Sequence, residues 1–555
     1  MTRKSGGTEI VDGAGATVAT VDVDSQASTA AWWESGVVYQ VYPRSFADAD
    51  GDGTGDLQGI IERLPYIAAL GVNGIWLTPF QPSPGVDQGY DVQDYCGVDP
   101  QFGTLEDFDE LLRCSHALGL RVLIDVVPNH TSTEHPLFKE ALAAGPGSQA
   151  RQLFHMQPSA AGSAPPNNWQ SVFGGPAWSR ANPESETDTD WYLHLFSPAQ
   201  PDWNWENSAV WEMFDDVLSF WFDRGVDGAR IDVAHGLFKA EGLPDSPVVP
   251  TVIDGLRSNP LAMDRERVHE VYRRWRRLAD SYESPRLLVG EVNLEPERSA
   301  RYTRPDEMHQ TFAFAFARLG WDPEGWADAG RRFEAMRLRY GASPTWALEN
   351  HDLVRTVTRF GGGERGARRA RAGALSTLGF PGGAYLYQGQ ELGVPEVDVP
   401  EHLRLDPMWS RGGVSRDGAR VPFPWTADDE KSYGFTTSAT AEPWLPQPEG
   451  WGQYSVEAQE TDAASMLILT RKALRLRAEL VERGLFAPHA GAVWSVDQQS
   501  LTYLSATGLA VVVAMGESPV PLPGTLLLSS EPVVDGFLPA DAAAWVLMGD
   551  GRGFE

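Results

Sequence analysis

The chain has 555 residues, of which 42% are hydrophobic and 22% charged, so it can bury more than one core and does not belong to the disordered class. Its 76 acidic and 45 basic side chains give a net charge of −31, which would repel nucleic acid and anionic membranes, and we exclude both as partners. The two cysteines, Cys96 and Cys114, have a spacing that fits neither a disulfide scaffold nor a cysteine-ligated zinc site.

Residues 1–30 include basic side chains but no continuous apolar stretch of the kind that a secretory signal requires. No window of the sequence is long and apolar enough to predict a segment that spans a bilayer. We therefore predict a flexible leader over residues 1–30 and a cytoplasmic protein, with a cryptic export signal as the minor alternative.

From Trp32 onward, short runs rich in valine, isoleucine and leucine alternate with amphipathic helical patterns, which is typical of repeated βα units. Strand candidates begin near residues 37, 71, 121, 228, 286, 310, 345 and 383. Helical stretches such as 56–71 and 105–119 end on glycine, as helices often do. These units predict an α/β protein, a closed (β/α)8 TIM barrel over residues 31–130 and 207–484, with a doubly wound sheet as the alternative.

Two connections within this pattern are longer than ordinary loops. Residues 131–206, rich in Pro, Gly, Asn and Trp, predict a small irregular domain (domain B) inserted after strand 3. The segment from about residue 391 to 459 is expected to build the outer wall of the site. Short apolar runs separated by Gly, Pro and Asp over residues 485–555 predict a C-terminal antiparallel β-domain (domain C), similar to a sandwich.

Residues 48–56 read DADGDGTGD and place carboxylates at alternate positions around glycines. This pattern suits a hard, oxygen-seeking cation, because the offsets follow those of an EF-hand loop. The candidate ligands are Asp48, Asp50, Asp52, Asp56 and the carbonyl oxygen of Thr54. Gly59 stands where the last bidentate glutamate of an EF-hand would be, and a strand leads in, so the loop is not an EF-hand. An acidic solvated turn is the alternative.

Polar side chains gather where the predicted strands end, and in a (β/α) barrel this edge carries the chemistry. They are Asp125, His130, Asp232, Glu291, His351 and Asp352. The three carboxylates Asp232, Glu291 and Asp352, with histidines and an arginine nearby, suit a reaction through a cationic transition state. Cleavage of a glycosidic bond is the leading case.

Four ordered segments resemble the signature regions of the α-amylase family, glycoside hydrolase family 13. They are DVVPNH at 125–130, GARIDVAHG at 228–236, GEVN at 290–293 and ENHD at 349–352. The stretches GYDVQDY, VDPQFGT, QPDWNWEN and YQGQELG resemble the α-glucosidase branch of that family. The 48–56 loop resembles the metal loop of the same branch, which implies a structural Ca²⁺ or Mg²⁺ ion and no organic cofactor.

The resemblance implies that Asp232 is the nucleophile, Glu291 the general acid and then base, and Asp352 the group that holds the 2- and 3-hydroxyls of the sugar. We expect Arg230 to keep Asp232 ionised, because a nearby cation lowers the pKa of a carboxylate.

His130 and His351 match family positions that hydrogen-bond the sugar in the central subsite. The alternative is that each of these histidines satisfies buried backbone groups.

The resemblance also implies how the pocket ends. In the α-glucosidases that the chain resembles, the residues that match Asp91 and Arg355 pair and grip the 4-hydroxyl of a terminal glucose, so that only chain ends fit. Tyr90 would form a stacking floor for the sugar ring. A simple Asp91–Arg355 salt bridge and a core position for Tyr90 are the alternatives.

The sequence carries two opposing signals about the linkage that is cleaved. Val233, after the nucleophile, is commonly associated with α-1,6 bonds in the family, whereas IDVAHG, GVPEVDVP and RDGARVPFPW look more like a branch that acts mainly on α-1,4 bonds. Ala229 stands where an aromatic is commoner, and Gln390 where glutamate is usual.

We therefore predict a retaining exo-α-glucosidase that acts on maltose and short malto-oligosaccharides, as a monomer or homodimer. A glucosyltransferase, a sucrose- or α-1,6-acting enzyme and a non-catalytic scaffold are the alternatives.

Overall fold

The computed structural model describes residues 31–159, 164–247, 251–253, 256–341, 344–487, 491–497 and 500–549. The leader predicted over residues 1–30 lies outside these ranges.

The strands of the described chain are β1 (Val37–Val41), β2 (Gly74–Leu77), β3 (Arg121–Val126), β4 (Met156–Pro158), β5 (Trp178–Arg180), β6 (Asp190–Leu193), β7 (Gly228–Ile231), β8 (Thr251–Ile253), β9 (Leu256–Ser258), β10 (Leu287–Gly290), β11 (Gln310–Thr311), β12 (Thr345–Ala347), β13 (Gly383–Tyr387), β14 (Ala492–Val496), β15 (Ser500–Ser505), β16 (Leu509–Ala514), β17 (Val520–Pro521), β18 (Thr525–Ser529), β19 (Phe537–Leu538) and β20 (Ala542–Leu547).

Its helices are α1 (Leu57–Leu70), α2 (Leu105–Ala117), α3 (Pro136–Ala144), α4 (Ser208–Asp223), α5 (Val268–Asp280), α6 (Pro296–Ser299), α7 (Phe314–Ala317), α8 (Pro323–Tyr340), α9 (Thr356–Arg359), α10 (Gly363–Gly379), α11 (Pro407–Ser410), α12 (Lys431–Gly434), α13 (Val456–Glu460) and α14 (Met466–Glu482).

Eight strands form the barrel, in the order β11-β10-β7-β3-β2-β1-β13-β12, and all neighbours are parallel. A parallel bridge between Phe312 and Thr345 joins the two ends of this sheet. Nearly every barrel residue is buried, which explains why the strands are continuous apolar runs in the sequence. The predicted TIM barrel is confirmed.

The helix ends follow from local side-chain chemistry. The Asp56 carboxylate accepts the Gly59 N–H at the start of α1, and Gly71 ends the helix with a φ of 96°. Thr104 and Asp107 form a reciprocal capping box at the start of α2. The two helices predicted at 56–71 and 105–119 are therefore confirmed.

The strand expected over QTFAFAF is shorter than predicted. β11 covers two residues, and the chain then turns into α7, where the Phe314 N–H donates to the Phe312 carbonyl. This early end brings Phe314 and Arg318 to the carboxyl edge of the barrel, where they line the main pocket.

The inserted domain after β3 contains α3 and a small antiparallel sheet in the order β4-β6-β5. Inside it, the buried Arg151 guanidinium forms ion pairs with Asp188 (2.5 Å) and Asp190 (2.6 Å). The segment after β13 has short helices only, and α12 is a left-handed turn in which Lys431, Ser432 and Tyr433 have φ of 50° to 53°.

The C-terminal domain is an antiparallel sheet in the order β14-β15-β16-β20-β18, with a separate β17–β19 pair. It packs against α10, where the Trp545 Nε1–H donates to the Leu375 carbonyl at 2.8 Å. The inserted and C-terminal domains agree with the predicted architecture. A search of the described helices finds none with the length and apolarity needed to cross a membrane.

Candidate active site

A pocket opens at the carboxyl ends of the barrel strands. The loop after β2, domain B and the segment after β13 complete its wall. Its lining residues are Asp87, Tyr90, His130, Phe173, Phe196, Asp232, Val233, Glu291, Phe314, Arg318, Asn350, Asp352, Leu353, Met408 and Arg416. A few charged groups within an apolar wall are typical of a small-molecule site.

The Arg230 guanidinium organises the carboxylates of this pocket. Its Nη1 contacts Asp125 Oδ1 at 2.7 Å and Asp232 Oδ1 at 2.6 Å, and its Nη2 contacts Glu291 Oε2 at 2.8 Å. β3, β7 and β10 are neighbours in the barrel, so these four side chains converge at their ends. Arg230 itself is 1% exposed and lies behind the pocket lining.

The single Arg230 guanidinium does not offset the effect of burial on Asp232 and Asp125. Burial raises the pKa of Asp232 above its usual range, Arg230 lowers it, and Glu291 and Asp125 raise it further. Burial also raises the pKa of Asp125 to about 6. The expectation of a low pKa for Asp232 is wrong, because burial outweighs the lowering by Arg230.

Asp352 has the opposite environment. Burial alone would raise its pKa, but His351, Arg416 and Arg420 lower it well below the usual range. Its Oδ1 contacts Arg416 at 2.9 Å and Arg420 at 2.8 Å. Burial lowers the pKa of His351 to about 3, so this histidine is neutral at pH 7 and the two arginines supply the lasting positive charge. Asp352 is thus an ionised carboxylate in the pocket wall.

Tyr90 and the two predicted histidines all lie at the site, at different depths. Tyr90 lines the pocket, and its ring is stacked on His351 with centroids 5.3 Å apart. His351 is fully buried behind it and bonds the Tyr90 hydroxyl through Nε2 at 2.6 Å. His130 lines the pocket, and its Nε2 lies 3.1 Å from the Gln200 amide nitrogen.

The predicted Asp91–Arg355 pair does not form. Asp91 is completely buried, and its carboxylate accepts bonds from the Ser83 hydroxyl and the backbone N–H groups of Val86 and Asp87. Arg355 bonds Glu349 and the backbone carbonyls of Gln388 and Ala419.

Neither Asp91 nor Arg355 lines the pocket. The hydrogen bonds of each side chain go to other groups of the fold and not to a ligand. The predicted clamp is therefore wrong for these two residues.

A different acid–arginine pair occupies the pocket. Asp87 Oδ1 contacts Arg416 Nη2 at 3.0 Å, and both residues line the cavity beside Asp352. Asp406, also buried, fixes the same guanidinium through contacts of 2.7 Å and 2.9 Å. Sequence reasoning missed this pair, although Asp87 lies three residues before Tyr90 and Arg416 opens the quoted RDGARVPFPW segment. Asp87 is thus close in sequence to Asp91, whereas Arg416 is distant in sequence from Arg355.

Phe173 of domain B packs over Arg416, with 5.2 Å from the guanidinium carbon to the ring centroid. The neighbouring Gly174 carbonyl accepts bonds from Arg411. Domain B and the segment after β13 thus meet across the pocket, which confirms the expected position of that segment as a wall.

The two departures from the family pattern are both buried. Ala229 lies in β7, and the Gln390 side chain accepts a bond from the Tyr387 N–H at 3.3 Å. Neither residue lines the pocket.

The acidic loop after β1 brings three of its carboxylates together. One oxygen from each of Asp48, Asp50 and Asp56 lies within 4.8 Å of the others. Asp48 and Asp56 are buried, and no ion pair to a basic side chain is found for these three acids among the described residues. Burial raises the pKa of Asp56, and the backbone N–H groups of Gly59, Ala49 and Asp50, which bond its carboxylate, oppose that shift.

The Asp52 carboxylate instead accepts the Thr54 N–H at 2.7 Å and is not part of the close set. Three converging carboxylates without a counter-cation fit a hard divalent ion.

The catalytic-domain family described as "Alpha amylase, catalytic domain" matches residues 40–484. The chain belongs to the α-amylase family. A trehalose-6-phosphate hydrolase of Escherichia coli (strain K12) is 38% identical over 482 residues, covering 80% of this chain and 84% of the relative. A probable alpha-glucosidase of Rhizobium meliloti (strain 1021) is 37% identical over 467 residues, covering 80% and 82%.

Among solved structures, the alpha-glucosyl transfer enzyme XgtA superimposes with a TM-score of 0.82 at 34% identity, covering 93% of this chain and 99% of that one. This member of the α-amylase family is therefore a glycoside hydrolase of the α-glucosidase type, with the pocket described above at the family's catalytic edge.

Proposed function

We propose that the protein is a retaining exo-α-glucosidase that removes glucose from the non-reducing ends of maltose and short α-1,4-linked malto-oligosaccharides. The observation that carries the proposal is the Asp87–Arg416 pair beside Asp352, whose side chains are 6%, 13% and 28% exposed. Asp406 backs this pair with a fully buried carboxylate. We propose that this pair closes one end of the pocket, so that the pocket accepts a chain end and excludes a continuous chain.

The arrangement of Asp232 and Glu291 supports retention of the anomeric configuration. Both bind adjacent terminal nitrogens of the Arg230 guanidinium, so their carboxyl groups lie side by side. Retaining enzymes have carboxyl groups about 5–5.5 Å apart, whereas inverting enzymes need room for a water between them.

In the proposed reaction Asp232 attacks C1 while Glu291 gives its proton to the glycosidic oxygen, which leaves with the bonding electron pair. Glu291 then takes a proton from water, and the water oxygen bonds to C1. The bond from C1 to Asp232 breaks, its electron pair returns to the Asp232 carboxylate, and α-glucose is released.

Asp352 would hold the 2- and 3-hydroxyls of the bound glucose, because its carboxylate stays ionised between two arginines. Tyr90 would contact the apolar face of the ring, and His130 would donate to or accept from a sugar hydroxyl. Asp87 and Arg416 would grip the 4-hydroxyl, in the role first expected of Asp91 and Arg355.

A time course of digestion tests the proposal. Maltose, isomaltose, sucrose, trehalose and trehalose 6-phosphate are incubated separately, and the anomer and chain length of each early product are resolved. We expect α-glucose from maltose, with the fastest turnover on that substrate. β-Glucose as the first product would contradict retention, and fragments released from inside starch chains would contradict the exo mode.

A glucosyltransferase is the second candidate. The relative of known structure that transfers α-glucosyl groups covers most of this chain. Apolar side chains at the pocket, among them Phe173, Phe314 and Met408, would also favour a sugar or apolar acceptor over water. Trisaccharides that appear early at high maltose concentration would favour this function.

We also propose that Asp48, Asp50 and Asp56 hold a structural Ca²⁺ or Mg²⁺ ion, with Asp52 and the Thr54 carbonyl as further ligands. The support is the close set of carboxylates described above. Such an ion would neutralise the acids of this loop and takes no part in the reaction.

A further inference from the structure

Val233 has a backbone conformation that its side chain disfavours. Its φ is +42°, in the left-handed region, and it is β-branched, which makes the conformation a real outlier. It directly follows Asp232, is 7% exposed and lines the pocket. Backbone strain of this kind persists only where the surrounding structure imposes it, and it concentrates at functional sites.

The contacts of this turn show what imposes the strain. The Val233 N–H donates to Glu291 Oε2 at 3.1 Å, and the next N–H, that of Ala234, donates to the Glu291 backbone carbonyl at 2.9 Å. The Val233 carbonyl accepts the Gly236 N–H at 2.8 Å. The turn after β7 therefore binds both the side chain and the backbone of Glu291, the residue that directly follows β10.

These hydrogen bonds make the two oxygens of the Glu291 carboxyl group different. Oε2 accepts from two donors, the Val233 N–H and the Arg230 Nη2, at 3.1 Å and 2.8 Å. Both donors always carry hydrogen, so an oxygen held between them acts only as an acceptor. A proton on this carboxyl group must then reside on Oε1.

We propose that Val233 is a positioning residue whose left-handed backbone fixes Oε2 of Glu291 and leaves Oε1 as the oxygen that delivers the proton. The inference rests on the function proposed above. In the step, the Oε1–H bond breaks and the proton passes to the glycosidic oxygen. That oxygen keeps the electron pair of the breaking bond to C1, while Asp232 bonds to C1 through Oδ2, since Oδ1 is held by Arg230.

Substitutions at position 233 separate the backbone from the side chain. Val233→Gly relieves the strain and widens the range of accessible backbone conformations, so the N–H that holds Oε2 is less firmly fixed. Val233→Ala removes the γ-methyl groups and keeps a Cβ, and Val233→Thr keeps the branched shape. Asp535, exposed in domain C with a φ of +50°, supplies a matched control through its Gly and Ala variants.

Activities on two substrates distinguish a loss of acid positioning from a change in pocket shape. We expect Val233→Gly to lower kcat on maltose about 10- to 100-fold, as misplaced catalytic groups do, with KM within about threefold. 4-Nitrophenyl α-glucoside, whose leaving group needs little protonation, should lose less than about threefold. Val233→Ala and Val233→Thr both keep a Cβ. Even if the altered pocket shape changes both activities, the ratio of kcat on maltose to kcat on the aryl glucoside should stay close to the wild-type ratio.

Thermal melting tests the strain itself. At an ordinary backbone position a glycine variant melts below the alanine variant, whereas at a strained left-handed position the order reverses. We expect Val233→Gly to melt above Val233→Ala, as Asp535→Gly should melt above Asp535→Ala, with activity changed only at position 233.

Equal losses of Val233→Gly on maltose and the aryl glucoside would overturn the proposal, and so would a glycine variant that melts below the alanine variant. If the wild-type enzyme itself cleaves neither substrate, the proposed function fails and the assignment of Oε1 fails with it.

Discussion

In the proposed function, Asp87 is the residue whose ionisation most directly controls recognition of the chain end. Burial raises its pKa to about 6, and Arg416 and Arg420 lower it only in part. Its charge, and the pair with Arg416, are therefore present above pH 6 and lost as the pH falls through that value. When Asp87 is neutral, Arg416 keeps its ion pairs with Asp352 and Asp406 only. Binding of the terminal sugar should therefore weaken in acid.

We expect the KM for maltose to rise below pH 6, approaching about tenfold per pH unit. In Asp87→Asn the KM should be high and nearly independent of pH. Asp91→Asn is the matched control, because Asp91 lies behind the pocket and bonds only its own loop. If Asp91→Asn and not Asp87→Asn abolished the pH dependence, the clamp first inferred from the sequence would be correct after all.

The same pair of aspartates shows where sequence reasoning ends. Both acids lie in one short segment, VDQGYD, and either could face the pocket. The tight turn over residues 85–91 decides between them, because the N–H groups of Val86 and Asp87 draw the Asp91 carboxylate inward. That choice depends on backbone geometry in a loop without periodicity. Asp232, Glu291 and Asp352 could be placed because they follow strands, whose ends a barrel brings together.

At the scale of elements, the barrel strands were predictable because each is a buried apolar run, whereas the segment after β13 was not. Its short helices include a left-handed turn at α12 and follow no apolar pattern. This segment owes its position to partners distant in sequence, above all to the acidic loop after β1. The Asp48 N–H donates to the Phe435 carbonyl at 2.8 Å, and the Trp444 N–H donates to the Gly53 carbonyl at 3.0 Å.

An ion bound in this loop should therefore stabilise residues 435–444 as well as the loop. We expect chelation to lower the melting temperature of the wild-type protein by a few degrees and to increase amide hydrogen exchange over both segments. Asp50→Asn should melt at the temperature of the chelated protein and no longer respond to chelator. Asp52→Asn, outside the close set of carboxylates, should keep a partial response.

Elemental analysis of the purified protein provides the decisive control for the metal loop. If no divalent ion copurifies and chelation leaves melting unchanged, the loop is an acidic turn held by its own backbone bonds. Asp56 would then serve only as the cap of α1, which its bond to the Gly59 N–H already shows.

At the scale of the whole molecule, one buried cation joins domain B to the barrel. Lys239, in the turn after β7, places Nζ 2.8 Å from Asp202 Oδ2 at the end of domain B and 3.0 Å from Asn129 Oδ1 after β3. Burial lowers the pKa of Lys239 and raises that of Asp202, and their mutual attraction opposes both shifts. The Asp202 backbone also pairs with His130, so this contact reaches the pocket.

Removing a single partner of this pair should therefore be costly. We expect Lys239→Met to lower the free energy of unfolding by about 3–5 kcal/mol, because it leaves the Asp202 carboxylate buried without a counter-charge. Lys239→Met combined with Asp202→Asn should recover much of that loss.

Lys139→Met, which breaks an exposed pair with Glu134 within domain B, is the control and should cost less than about 1 kcal/mol. Urea unfolding measures the free energy of unfolding of Lys239→Met, of its combination with Asp202→Asn and of Lys139→Met. In Lys239→Met, activity should fall at urea concentrations that leave the barrel folded, because the contact that supports His130 is lost first. Equal costs for Lys239→Met and Lys139→Met would show that apolar packing, and not this cation, holds domain B against the barrel.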